Sequence, residues 1–120
     1  MEIALYVRVS TSRQQQTQTI EQQLNRLRAK VAVEADWHLA EEHVYRDDGY
    51  SGASLNRPGL DHLRDHAALG AFEMVLITAP DRLARKYVHQ VLLIDEMQSR
   101  GCQFEFLDRP MSDDSTLALT

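Results

Sequence analysis

The chain has 120 residues, enough for one domain with a buried core and too few for two. Apolar residues make up 43% and charged residues 26%, an ordinary globular balance, and no window approaches the apolar run of a membrane helix. A formal charge of −5 argues against holding DNA by bulk electrostatics, so phosphate binding would need locally gathered arginines or another domain.

The N-terminus, Met1 to Arg8, carries acid and base without a secretory pattern, and a soluble, cytoplasmic protein is expected. Residues 3–9 form a short β-prone run that ends in Ser10-Thr11-Ser12, where hydroxyls favour a turn. After a Gln-rich stretch, Ile20, Leu24, Leu27 and Val31 recur at helical spacing, and Thr19 with Gln22 has the capping-box pattern. This predicts a helix over about residues 19–35. Trp37, just beyond it, reads as a half-buried packing residue.

His43-Val44-Tyr45 marks a weak second strand, followed by the irregular loop Asp47-Asp48-Gly49-Tyr50-Ser51-Gly52. Asn56-Arg57-Pro58 opens a second helix with Leu60, Leu63 and Ala67 inward and Gly70 as its stop. On it, His62 and His66 are one turn apart, a separation that can bind metal, yet no third ligand is evident. A solvated face is the expectation, and no metal is predicted. Phe72 to Thr78 is nearly continuous apolar sequence, the pattern of a strand covered on both faces.

Asp81-Arg82-Leu83-Ala84-Arg85 starts a helical stretch expected to continue through Val88, Val91, Leu92 and Asp95 to Gly101, with Tyr87 half-buried. Residues 102–106 then alternate as a fourth strand. Cys102, the single cysteine, has no disulfide partner and no zinc-spaced neighbour, so it reads as a small buried hydrophobe. Ser115-Thr116-Leu117-Ala118-Leu119 resembles the start of a helix.

The alternation β-α-β-α-β-α-β predicts an α/β fold: an open, mainly parallel sheet of four to five strands with helices on both faces. Ligands of such sheets gather outside the carboxyl ends of the strands. Ser10, the loop from Asp47 to Arg57 and the Asp81-Arg82-Arg85 cluster each follow a strand, so three distant segments are expected on one edge.

Tyr6, Arg8 and Ser10 alternate along the first strand and share a face if it stays regular. Alone, Ser10 is an ordinary turn residue and Arg8 a surface ion-pair partner. Arg82 and Arg85, three residues apart, would share one face of a helical first turn. Cations there oppose the helix dipole at a cost of roughly a few tenths of a kcal/mol, which suggests an anion. Ion pairing with Asp47, Asp48 or Asp81 is the alternative.

Taken together, Tyr6-Val7-Arg8-Val9-Ser10-Thr11, Gln14, Gln23, Ser51-Gly52, Arg57-Pro58-Gly59-Leu60 and Asp81-Arg82-Leu83-Ala84-Arg85 stand in the order found in serine recombinases. The chain resembles the catalytic domain of that family over nearly its whole length. The Arg57-Pro58-Gly59-Leu60 form and the Gln-rich stretch lean toward the large integrases and their transposase relatives. Pro80, and Lys86-Tyr87, depart from the family pattern without removing a catalytic group.

The resemblance implies that Ser10 attacks a DNA phosphodiester to form a 5′-phosphoserine link, later reversed onto an exchanged strand, with no cofactor. It implies that Arg8, Arg57, Arg82 and Arg85 stabilise the phosphorane-like transition state. Asp81 would exchange a proton with the leaving 3′ oxygen or orient Arg82 or Arg85. Tyr6, Gln14 and Gln23 would support the site or bind phosphate, the glutamines' alternative being a solvated helix face. Asp47 and Asp48 both fit the family's acidic position. DNA is the implied partner, with a dimer and a DNA-bound tetramer for the full-length protein and a monomer or weak dimer for residues 1–120. The resemblance further implies that the chain stops near the start of the long assembly helix, with the DNA-binding domain beyond it. A non-catalytic phosphate-binding module and a serine phosphoesterase are the competing readings.

Overall fold

The structure, a computed structural model, describes residues 1–10 and 19–108. Gln14 and the helix start expected at Ser115 lie outside the described residues. The elements are β1 (Glu2–Val9), α1 (Ile20–Val33), β2 (His38–Asp48), α2 (Pro58–Ala68), β3 (Met74–Ile77), α3 (Pro80–Leu83), α4 (Tyr87–Gln98) and β4 (Gln103–Phe106). Their strands make one parallel sheet in the order β2-β1-β3-β4. The predicted open parallel sheet is therefore the observed one, with four strands.

Strand alternation divides the core in two. Ile3, Leu5, Val7 and Val9 of β1, with Met74 and Leu76 of β3, meet Ile20, Leu24 and Leu27 of α1 on one face. Ala4, Tyr6, Val75 and Ile77 meet Leu60, Leu63, Leu83, Leu93 and Met97 on the other. Each fully buried Leu contributes about 1.5–3 kcal/mol relative to exposure. The Thr19 capping box forms as predicted, with Gln22 N–H donating to Thr19 Oγ1 at 3.1 Å and Thr19 N–H to Gln22 Oε1 at 2.9 Å. Cys102 is buried, and burial pushes its thiol up to about 11, so it is the inert hydrophobe expected.

The chain crosses from β1 through α1 to β2, then back through α2 to β3, so the strand order reverses between β1 and β3. In such sheets ligands bind at this switch point, beyond the carboxyl ends of those strands.

Three expectations need correction. β2 starts at His38, five residues before the predicted core of that strand; its register on β1 shifts between Ile3 and Leu5. His38, Glu41 and Glu42 are tolerated in it because β2 is an edge strand, while Leu39 packs on the α1 side of the core. Second, the single helix expected from Asp81 is two, separated by extended backbone at Ala84 (φ −161°, ψ 142°). The carbonyl of Leu83 accepts from Arg57 Nη2 at 2.5 Å and that of Ala84 from Gln90 Nε2 at 2.7 Å, so side chains take the acceptors a continuous helix would use. Third, Tyr87 is 73% exposed rather than half-buried, whereas Trp37 packs against the α1 side of the core as predicted.

Candidate active site

Arg8 joins the three segments expected at the carboxyl edge. Its guanidinium is 3% exposed and donates from Nη1 to Tyr50 O at 3.0 Å, from Nη2 to Asp81 O at 2.7 Å and from Nε to Arg82 O at 3.0 Å. One side chain of β1 thus ties the loop after β2 to the turn after β3. Burial, and after it the charge of Arg57, holds the Arg8 pKa below its ordinary value. Ser10, two residues on, is half-buried just past the carboxyl end of β1.

Arg82 reaches in from α3, its Nη1 3.3 Å from Arg8 O. Arg85 lies outside both helices, so the predicted shared helical face with Arg82 does not exist. Its backbone N–H donates to Gly52 O at 2.9 Å instead, which still brings Arg85 to the same edge. A Cβ at Gly52 would sit 2.6 Å from both Arg8 Nη2 and Arg85 Cγ, so only glycine lets the two arginines close on this loop. Asp81 is exposed beside them, and its carbonyl is one of the anchors of Arg8.

Arg57 belongs to a buried frame beneath this edge. It is fully buried and donates to Ser54 O at 2.9 Å, Tyr6 Oη at 2.8 Å and Leu83 O. No part of Arg57, expected from the resemblance to stabilise phosphate, reaches the surface in this structure. Tyr6 Oη passes the contact on, donating to Asp47 Oδ2 at 2.6 Å. Burial raises the Tyr6 pKa far above the usual tyrosine range and keeps its hydroxyl a donor.

Asp47 also accepts from Gly59 N–H at 2.7 Å and Leu60 N–H at 2.9 Å. It caps α2 from a neighbouring strand, where the N-cap residue Arg57 supplies no side-chain cap. The motif Arg57-Pro58-Gly59-Leu60 thereby gains a physical reading. Arg57 anchors Leu83, Pro58 starts the helix, Gly59 admits the carboxylate, and Leu60 enters the core.

Sequence reasoning left Asp47 and Asp48 undecided and named Gly52 in the loop and the Ser51-Gly52 motif without giving it a role. For the acids a signal existed: β2 alternates with Tyr45 and Asp47 buried and Arg46 and Asp48 exposed, so the aromatic fixes which parity faces inward. The steric role of Gly52 had none, since the need for it arises from two side chains distant in sequence. Gln23, left between a site role and a solvated face, is fully buried against Arg8. His66, expected to be solvated, is half-buried with Nδ1 2.6 Å from Tyr45 Oη. Among the described residues no cluster of three or more His, Cys, Asp or Glu side chains could hold a metal ion. No helix among them is long and apolar enough to cross a membrane.

The family model for the resolvase N-terminal domain matches residues 3–119. The chain is 35% identical over 107 residues to a putative DNA recombinase of Bacillus subtilis (strain 168), a match covering 88% of this chain and 20% of that protein. It is 32% identical over 69 residues to the transposon Tn552 DNA-invertase BinR of Staphylococcus aureus, covering 58% of this chain and 35% of the invertase. These matches span only 20% and 35% of the two relatives' lengths.

Among solved structures, the N-terminal catalytic domain of TP901-1 integrase superposes with a TM-score of 0.80 at 30% identity, covering 89% of this chain and 77% of that one. The C-terminal catalytic domain of ISC1926 TnpA, an IS607-like serine recombinase, gives 0.77 at 26%, covering 98% and 77%. A resolvase family site-specific recombinase from Streptococcus pneumoniae gives 0.75 at 25%, covering 99% and 84%.

Proposed function

The chain belongs to the resolvase N-terminal domain family, and from that premise we propose that it is the catalytic domain of a serine recombinase acting on DNA. The observation that carries this reading is the gathering of Arg8, Arg82 and Arg85 on the strand edge that presents Ser10. In the reaction, Ser10 Oγ bonds to a backbone phosphorus as the bond from phosphorus to the 3′ oxygen breaks. The serine gives up its proton and the 3′ oxygen gains one. The diester is conserved in the 5′-phosphoserine link, so a 3′ hydroxyl of another strand can reverse the step without an added energy source.

Negative charge grows on the phosphorus oxygens in the transition state, and permanently charged guanidinium groups suit it. Arg82 and Arg85 serve as its ligands. Arg8 joins them by exchanging one of its three carbonyl anchors for phosphate, which makes substrate binding the event that completes the site. Arg57 acts through Tyr6 and Leu83 as a positioning residue. Asp81, exposed at the edge, transfers the proton of the 3′ oxygen or orients the neighbouring arginines. Gln14, by its motif position, supports the same site.

The partners in this reading are DNA and further copies of the protein, as dimer and DNA-bound tetramer in a longer parent, with residues 1–120 alone a monomer or weak dimer. The test is incubation of the full-length protein with a recombination site carrying a nick that blocks religation. A covalent protein–DNA species should accumulate with the unaltered protein and vanish in Ser10→Ala. On intact sites, strands should rejoin to new partners; release of hydrolysed ends alone would favour a phosphoesterase, and no adduct at all would favour a non-catalytic module.

A further inference from the structure

The backbone of Arg8 poses a problem that the ladder does not solve. The Val9 carbonyl accepts from Gly49 and Tyr50 on the β2 side, so the N–H and C=O of Arg8, one residue earlier, face β3. Pairing of β1 with β3 runs Ile3↔Met74, Ala4↔Val75 and Leu5↔Leu76 and goes no further. Continued in that register, Arg8 would stand opposite Ala79, and its carbonyl would need the N–H of residue 80. That residue is Pro80, which has none. Two strong backbone groups would be orphaned in the interior, next to the residue pair that leads to the nucleophile.

Gln23 fills this gap. Arg8 N–H donates to its Oε1 at 3.3 Å, and its Nε2 donates to Arg8 O at 3.0 Å, from a side chain with no exposed surface. A carboxamide presents one acceptor and one donor side by side, as a neighbouring strand does. Arg82 Nη1 adds a weaker contact to the same carbonyl at 3.3 Å.

We propose that Gln23 is a positioning residue: it substitutes for the missing β3 partner at Arg8, and so holds the end of β1, and Ser10 with it, at the switch point between β1 and β3. It does so from α1, not by touching DNA. The role in catalysis rests on the recombinase reading above; the backbone clamp does not.

Two measurements on the full-length protein test it, using Gln23→Met, which removes both bonds to Arg8, and Gln23→Leu, a second apolar replacement that also removes them, should the first variant fold poorly. Amide hydrogen exchange at Arg8 should quicken at least about tenfold while Ala4, which faces β3 with the same parity as Arg8 and sits opposite Val75, stays as it was. Equal exchange in variant and parent, or a uniform rise along β1, would overturn the clamp. In adduct formation, the rate at saturating DNA should fall about 10- to 100-fold, with the half-saturating DNA concentration within about twofold of the parent. A defect confined to the half-saturating concentration would make Gln23 a phosphate ligand and sink the proposal. Should the unaltered protein form no adduct, the recombinase reading fails while the exchange experiment still decides the clamp.

Discussion

Gly52 and Gly59 both forbid a side chain, for different reasons with different consequences. A Cβ at Gly59 would lie 2.5 Å from the Arg46 carbonyl oxygen, which is backbone and cannot swing away. Gly59→Ala is therefore expected to destabilise the fold by about 1–3 kcal/mol, read as a shift in the denaturation midpoint. At Gly52 the obstruction is the Arg8 and Arg85 side chains, so Gly52→Ala should leave stability within about 1 kcal/mol of the parent and displace the arginines. Its adduct rate should drop about 10- to 100-fold. The two acids after β2 separate as cleanly. Asp47→Asn turns an amide toward groups that now donate to a buried carboxylate and should cost about 2–4 kcal/mol, while exposed Asp48→Asn should stay within about 0.5 kcal/mol. Such distinctions are hard to draw from motifs, because a motif names residues without saying which are buried.

Helices α2 and α4 are locked by Arg64 and Glu96, paired through two bonds of 2.6 and 2.7 Å. The bonds to Arg64 hold the Glu96 carboxyl below its ordinary value of 4.5. A depressed carboxylate contributes stability that is fully present above the unfolded value and lost as pH falls through the folded one. Acid denaturation below pH 4.5 should thus be shallower in Glu96→Gln, which starts less stable at neutral pH and converges on the parent in acid. Both side chains are partly solvated, so salt should narrow the difference. At this scale the sequence misleads in two places. The start of β2 carries Glu41 and Glu42, which solvate an edge and hide its strand character. The break between α3 and α4 has little local signal, because Gln90 of α4 takes one of its carbonyls but the other is taken by Arg57 from the start of α2. By contrast α1 announces itself, its cap and its apolar spacing agreeing with each other.

For the molecule as a whole, the alternation of strands and helices was sufficient to place Ser10, the Gly52 loop and the Asp81 turn on one edge, since parallel order leaves few alternatives. What it could not give is which arginines face outward and which are spent inside the frame. The overall charge of −5 also bears on function. At that net charge, residues 1–120 alone should bind DNA weakly, with a salt dependence corresponding to about two to four phosphate contacts; tight, site-specific binding at physiological salt would contradict this. Mapping the covalent link tests the identity of the nucleophile most directly. The trapped protein–DNA adduct would be digested with protease and nuclease and its modified peptide sequenced by mass spectrometry. The nucleotide is expected on Ser10, through the DNA 5′ phosphate; a link to any other residue, or to a 3′ phosphate, would contradict the assignment.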